Sequence, residues 1–259
     1  MSGAPDRVLP AARGFDRIAE AYERGRPDYP KEAVDWLAEG LVAPGRTLVE
    51  LAAGTGKLTR ALLPTGARIV AVEPSEGMRS VFRREVPTVE LLDGTAERIP
   101  WPDHGADAVV VGQAFHWFRF PEALSEIARV LRPAGRVGLI WNRRDESVPW
   151  VRAIGRIVEA RERRGAPRSD DGSWQAAVRS DRRFGELSNR SFPFTARTTV
   201  DRIVDRVVSV SFVALEGAEA SAAVAREVVA LLDRDPMTRG RDALDFPYRT
   251  DAYRFDLVG

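Results

Sequence analysis

Cysteine is absent from this 259-residue chain, which excludes disulfides, thiolate metal sites and cysteine nucleophiles together. Lysine is almost absent, with only Lys31 and Lys57, so nearly all positive charge is arginine. Together with the abundance of alanine and valine, that bias reads as the codon usage of a high-GC, bacterial genome. Neither sign of charge is in excess: 39 basic residues face 38 acidic ones for a net charge of +1. No global field therefore argues for nucleic acid or a membrane surface as partner. No apolar run approaches the roughly 20 residues that span a bilayer, and the start lacks a signal peptide's continuous apolar segment. A soluble, cytoplasmic protein is expected. Arg161, Arg163 and Arg164 resemble a phosphate patch, but Glu159 and Glu162 interleave with them, as on a solvated helical face.

What is present is a core. With 44% apolar residues the chain can bury one large domain, or one domain carrying a smaller cap. Helical spacing of apolar residues runs over 14–21 and 31–41, and Pro44-Gly45 stops the second helix. Short apolar runs follow at 47–52, 68–73, 88–92, 106–112 and 136–141, most separated by helix-length segments. This is the rhythm of a doubly wound, mostly parallel α/β sheet, whose strand ends gather on one ligand-binding edge. After Trp141 the pattern predicts helices at 150–164 and 173–187, a strand at 189–197, helices at 200–215 and 220–232, and a last strand at 246–257. The stretch 165–172, rich in Pro, Ser and Asp, reads as a mobile loop.

The most informative stretch is Thr47-Leu-Val-Glu-Leu-Ala-Ala-Gly-Thr-Gly-Lys57, a buried strand entering a glycine turn and a helix. A dinucleotide turn wants a third glycine where Thr59 stands, and a P-loop wants a glycine five residues before Gly56. A turn for S-adenosylmethionine needs close backbone approach at Gly54 and Gly56 but no pyrophosphate cradle, with Glu50 placed to influence a cationic ligand. An ordinary tight strand-to-helix turn uses glycine too. The next strand ends in Glu73, 19 residues after Gly54, where an acid accepts both hydroxyls of a ribose. Pro74, Ser75 and Met78 open the following helix, and Met78 suits either an adenine face or the core.

These residues resemble the class I S-adenosylmethionine-dependent methyltransferases, within the methyltransferase type 11 group that includes small-molecule carboxyl methyltransferases. The likeness runs through Glu50–Gly56, Val72-Glu-Pro-Ser-Glu-Gly-Met78, Asp93-Gly-Thr-Ala-Glu-Arg-Ile-Pro-Trp-Pro-Asp103, Asp107–Phe118 and Ala128-Arg-Val-Leu-Arg-Pro-Ala-Gly-Arg136. Upstream, Phe15-Asp-Arg-Ile-Ala-Glu-Ala-Tyr22 and Arg26-Pro-Asp-Tyr-Pro30 are similar to the lead-in of a subgroup marked by Gln-Ala-Phe-His-Trp after strand four. The resemblance implies a seven-stranded Rossmann-like sheet in a single domain over 1–259. Residues 1–45 would form N-terminal lid helices, 46–144 the cofactor core, 145–188 a helical cap, and 189–259 the remaining sheet and helices. It implies that Glu50, Ala52, Gly54 and Gly56 surround the methionine part of S-adenosylmethionine. Glu73 would bind the ribose, Thr95, Ala96 and Glu97 would border the adenine, and Gln113 would close the site. Ala52 replaces the commonest first glycine, tolerable if its φ stays negative. Thr95 stands where many members carry aspartate.

Methyl transfer from a sulfonium is an in-line displacement that proximity and desolvation can drive without a metal or a covalent nucleophile. A base is needed only if the acceptor arrives protonated. Of the two histidines, His104 lies in a turn, whereas His116, beside Gln113 and Trp117, suits either a general base or pocket wall. Trp117, Trp141, Asn142 and Arg143 are the candidate substrate contacts, and the Arg143–Arg144 pair suits an acidic acceptor or plain surface. Arg26, with Tyr22, would lie over the cofactor and pair with its carboxylate. The Asn-Pro-Pro-Tyr or Asp-Pro-Pro-Tyr tetrad of nucleic-acid amino methyltransferases is missing, so the expected partner is a small molecule. The rival expectation is a nucleoside-binding regulatory or catalytically silent protein of the same fold.

Overall fold

The computed structural model describes residues 18–40, 44–161, 168–210, 213–214 and 216–258. The start of the helix expected from Gly14, and the residues Leu41, Glu162, Arg163, Arg164 and Leu215, lie outside them, as do residues 165–167 of the expected loop. The strands are β1 (Thr47–Leu51), β2 (Arg68–Val72), β3 (Glu90–Leu92), β4 (Ala106–Gly112), β5 (Leu131–Arg144), β6 (Ser188–Thr198) and β7 (Leu244–Asp256). They form one seven-stranded sheet in the order β3-β2-β1-β4-β5-β7-β6. β2 and β4 flank β1 in parallel, as do β3 against β2 and β5 against β4. The mostly parallel, Rossmann-like sheet expected from the sequence is what the chain forms.

The helices are α1 (Ala19–Gly25), α2 (Lys31–Ala38), α3 (Lys57–Leu62), α4 (Glu76–Glu85), α5 (Phe120–Val130), α6 (Pro149–Glu159), α7 (Ser173–Ser180), α8 (Val200–Val208) and α9 (Ala218–Arg234). Several are shorter than their apolar periodicity suggests. The helix expected over 173–187 stops at Ser180, because Asp181 turns extended and accepts from the Arg183 backbone N–H and guanidinium.

The chain folds as two compact units. The larger comprises Asp28–Trp141, Pro167–Phe192 and Thr250–Gly259. Its central strands are buried on both faces, which is why β1 and β4 read as near-continuous apolar runs. Ala123, Leu124, Ile127 and Val130 of α5 present one helical stripe to that core. The smaller unit comprises Met1–Pro27, Asn142–Ala166 and Pro193–Arg249, with its own cluster around Trp150, Ile154, Val207, Val228 and Phe246. Among the described residues no helix is long and apolar enough to cross a membrane.

Candidate active site

In the larger unit the register sets Leu51 beside Val72 and Val111, and Val72 beside Leu92. The C-terminal ends of β1 to β4 therefore share one edge, and residues 52–56, 73–75, 95–97 and 113 follow directly from it. Ala52 corrects the expectation of a negative φ: it stands at +51°, followed by Gly54 at +59° and Gly56 at +86°. A left-handed alanine costs about 1–2 kcal/mol, a strain that persists only where surrounding bonds enforce it. Here the Ala53 N–H donates to the Val72 carbonyl at 3.1 Å and the Gly54 N–H to Glu73 Oε2 at 2.8 Å. A Cβ on Gly56 would come within 2.6 Å of Val86, whereas one on Gly54 would meet nothing within 4 Å. The bend is thus packed below and open at Gly54.

Two carboxylates border this bend and differ in what they bind. Glu73 is buried, and its two oxygens accept from the Gly54 and Ser75 backbone N–H groups, each at 2.8 Å. Each oxygen has a second lone pair for a further donor. Glu50 is 1% exposed and accepts from the Thr59 hydroxyl at 2.6 Å. Burial pushes its carboxyl up to about 8, the Thr59 bond opposes the rise, and the negative Glu73 adds to it. Thr59, which the sequence offered only as a missing glycine, is thus the partner of the acid. The buried Thr55 hydroxyl in the same bend has no hydrogen-bond partner. Open space at Gly54, an unsatisfied hydroxyl and a backbone-clamped acid fit a polar ligand seated on the turn.

The other expected adenine and ribose neighbours are placed unevenly. Pro74 and Thr95 are half-buried, and Thr95 bridges to Arg98. Ala96 and Met78 are core residues, 5% and 3% exposed. Glu97 accepts from the Arg119 N–H at 2.9 Å, where Arg119 caps α5. At the end of β4, Gln113 also adopts a left-handed φ of +64°, and its N–H donates to the Ile140 carbonyl at 2.9 Å. Tyr29, quoted in the lead-in motif but given no role there, reaches this edge: a Cβ on Gly112 would stand 2.7 Å from its hydroxyl.

His116 lies in a short 3-10 turn, Phe115–Trp117, and accepts at Nδ1 from the Trp141 indole N–H at 3.4 Å. A neutral ring that accepts at Nδ1 carries its proton on Nε2. Its remaining nitrogen then donates, and a base role requires that this indole bond be given up. Trp141 is 2% exposed and stacks on Trp174 at 5.0 Å, so it supports the wall from behind. His104 is exposed, its Nδ1 donating to the Leu131 carbonyl at 2.9 Å. In the smaller unit, Asn142 is buried with its amide donating to the Pro27 carbonyl at 3.4 Å, and Arg143 is half-buried. There too the Arg26 guanidinium lies 4.7 Å over the Tyr22 ring.

Residues 49–139 match the family model of a methyltransferase domain. An uncharacterized methyltransferase of Mycobacterium tuberculosis is 40% identical over 244 residues, covering 94% of this chain and 96% of the relative. A methyltransferase structure from Anaeromyxobacter dehalogenans superposes with a TM-score of 0.59 at 23% identity, covering 89% of this chain and 96% of that one. A Haemonchus contortus phosphoethanolamine N-methyltransferase, solved with phosphomonomethylethanolamine and S-adenosylhomocysteine, has a TM-score of 0.55 at 14% identity, covering 93% of this chain and 57% of that one. A full-length relative at that identity, the matched domain and the shared fold agree: the chain belongs to the class I S-adenosylmethionine-dependent methyltransferases.

Proposed function

We propose that this protein transfers the methyl group of S-adenosylmethionine to an oxygen, nitrogen or carbon atom of a small-molecule acceptor by in-line displacement. The observation that carries the reading is the Gly54–Glu73 bond. It ties the strained turn after β1 to the acid after β2, so one rigid element offers backbone approach and a ribose-binding carboxylate together. Glu50, Ala52, Gly54, Thr55 and Gly56 are the residues to hold the methionine part, Glu73 and Pro74 the ribose, and Met78, Thr95, Ala96 and Glu97 to border the adenine. When bound, the cofactor supplies an electrophilic methyl on a cationic sulfur. Catalysis then rests on alignment and exclusion of water, and the backbone bonds that hold Ala52 and Gln113 in left-handed φ keep that alignment fixed before binding. With its indole bond intact, His116 donates a hydrogen bond from Nε2 to the acceptor and holds it in place. Near-zero net charge and the missing tetrad favour a small acceptor over nucleic acid.

Calorimetry with S-adenosylmethionine, S-adenosylhomocysteine and NAD tests the cofactor site. Glu73→Ala is expected to weaken S-adenosylhomocysteine binding by about ten- to hundred-fold, from loss of charge-assisted hydrogen bonds of about 1.5–3 kcal/mol. Unchanged affinity would place the ribose elsewhere. A mass-shift screen of candidate acceptors separates turnover from silent binding.

A further inference from the structure

The smaller unit contains a buried guanidinium, two of whose nitrogens meet no hydrogen-bond acceptor among the described residues. Arg206, on the last turn of α8, is 8% exposed, and its Nε and Nη1 are sealed from solvent with no hydrogen-bond acceptor. Arg26, which follows α1, has a buried Nε in the same condition. The backbones force these two cations together. A Cβ on Gly25 would stand 2.2 Å from the Arg206 backbone nitrogen, so α1 meets α8 with no side chain between them. Two acids of these elements are engaged elsewhere: Asp205 takes a fork from Arg24 at 2.8 and 3.2 Å, and Glu146 accepts from Arg144 at 3.2 Å. After burial, the groups that weigh most on Arg206 are Arg26 and Arg144, which repel it, and the phenols of Tyr248 and Tyr22. Burial first, and then repulsion from Arg26 and Arg144, brings its guanidinium down to about 9 against the opposing phenols, still cationic at neutral pH.

A buried cation among like charges is costly, and the bond it gives to the Tyr248 hydroxyl does not neutralise it. An anion would. The planar guanidinium fork matches carboxylate and phosphate oxygens two at a time, and phenol hydroxyls add donors of the same geometry. We infer that Arg206, Arg26 and Arg144 form an oxyanion-binding site for a small carboxylate- or phosphate-bearing molecule, with the hydroxyls of Tyr22 and Tyr248 as further donors. The inference rests on the smaller unit alone and stands whether or not the cofactor reading above is right.

Calorimetry and thermal melting of the full chain, with inorganic phosphate, succinate and S-adenosylhomocysteine added separately at constant ionic strength, test it on wild type, Arg206→Lys and Arg206→Met. The wild type is expected to bind phosphate or succinate saturably and melt higher in its presence. Arg206→Met should lose at least about tenfold in that affinity, as expected for a charge-assisted contact, with Arg206→Lys intermediate. Without added anion, Arg206→Met should melt no lower than wild type, since it removes a buried charge from among like charges. Unchanged S-adenosylhomocysteine affinity in Arg206→Met assigns the anion to a separate ligand. A loss confined to S-adenosylhomocysteine, with neither phosphate nor succinate bound by wild type, would overturn a separate oxyanion site. If Arg206→Met alters binding of none of the three probes, or melts far below a wild type that ignores them all, Arg206 is a structural strut and the site is refuted.

Discussion

Glu50 shows how one residue can make a site sensitive to pH. Its carboxyl interrupts the buried apolar run Leu48–Leu51 of β1, and burial raises it to about 8 against an ordinary 4.5. The unfolded chain releases this proton near 4.5, while the folded chain keeps it to about 8. The resulting contribution to stability is fully present below the lower value and lost as pH climbs through the upper one. If a sulfonium binds beside it, the cation favours the carboxylate and drives the proton off. At pH 7, S-adenosylmethionine binding is therefore expected to release a fraction of a proton, approaching one. Its affinity should rise by up to about tenfold per pH unit before levelling above 8. S-adenosylhomocysteine, whose sulfur is neutral, should show a weaker dependence. Calorimetry in two buffers of different ionisation enthalpy measures the release, and Glu50→Gln should abolish it. A Glu50→Gln protein with the same proton release would mean that another group titrates.

At the scale of elements, the seam between α1 and α8 has no side chain to spare. Alanine at Gly25 would gain about 1 kcal/mol of helix preference, but its methyl would lie 2.2 Å from backbone that cannot rotate away. Overpacking costs typically about 1–3 kcal/mol, and contact with backbone belongs at the upper end, so Gly25→Ala should destabilise by about 1–2 kcal/mol net. A lowered urea midpoint with unchanged slope checks this, and a raised midpoint would show that the helices do not meet there. The seam also marks where sequence reading reached its limit. The parallel strands were legible because a strand covered on both faces must be apolar almost throughout, and β1, β2 and β4 are. The place of Glu73 just after β2 was legible from the strand pattern, but its bonds from the Gly54 and Ser75 N–H groups were not. Arg206 was not, because on α8 it falls among Asp201, Arg202 and Asp205, where a charge reads as solvent-facing. It is covered by elements remote in sequence, α1 at the seam and Tyr248 of β7. Ala52 escaped for a related reason: local preference forbids alanine a positive φ, and the bonds that enforce it come from β2.

At the scale of the whole molecule, the near balance of charge leaves specific contacts rather than a long-range field to determine what binds. Any ligand selective for the folded state must then show itself as added stability. At one hundred times its dissociation constant, S-adenosylhomocysteine is expected to stabilise the chain by about 2.7 kcal/mol. For a protein of this size that is about 5–10 °C in melting temperature. If the turn after β1 and the acid after β2 act together, Glu73→Ala at the same concentration should keep about half of that shift or less, because its affinity is ten- to hundred-fold lower. NAD at equal concentration should leave the melting temperature unchanged, since the bend lacks the third glycine that a pyrophosphate requires. Melting curves of wild type and Glu73→Ala, with each ligand and without, decide the matter. Equal shifts in the two proteins would separate the acid from the site, and a shift with NAD alone would replace the adenosyl sulfonium with a dinucleotide.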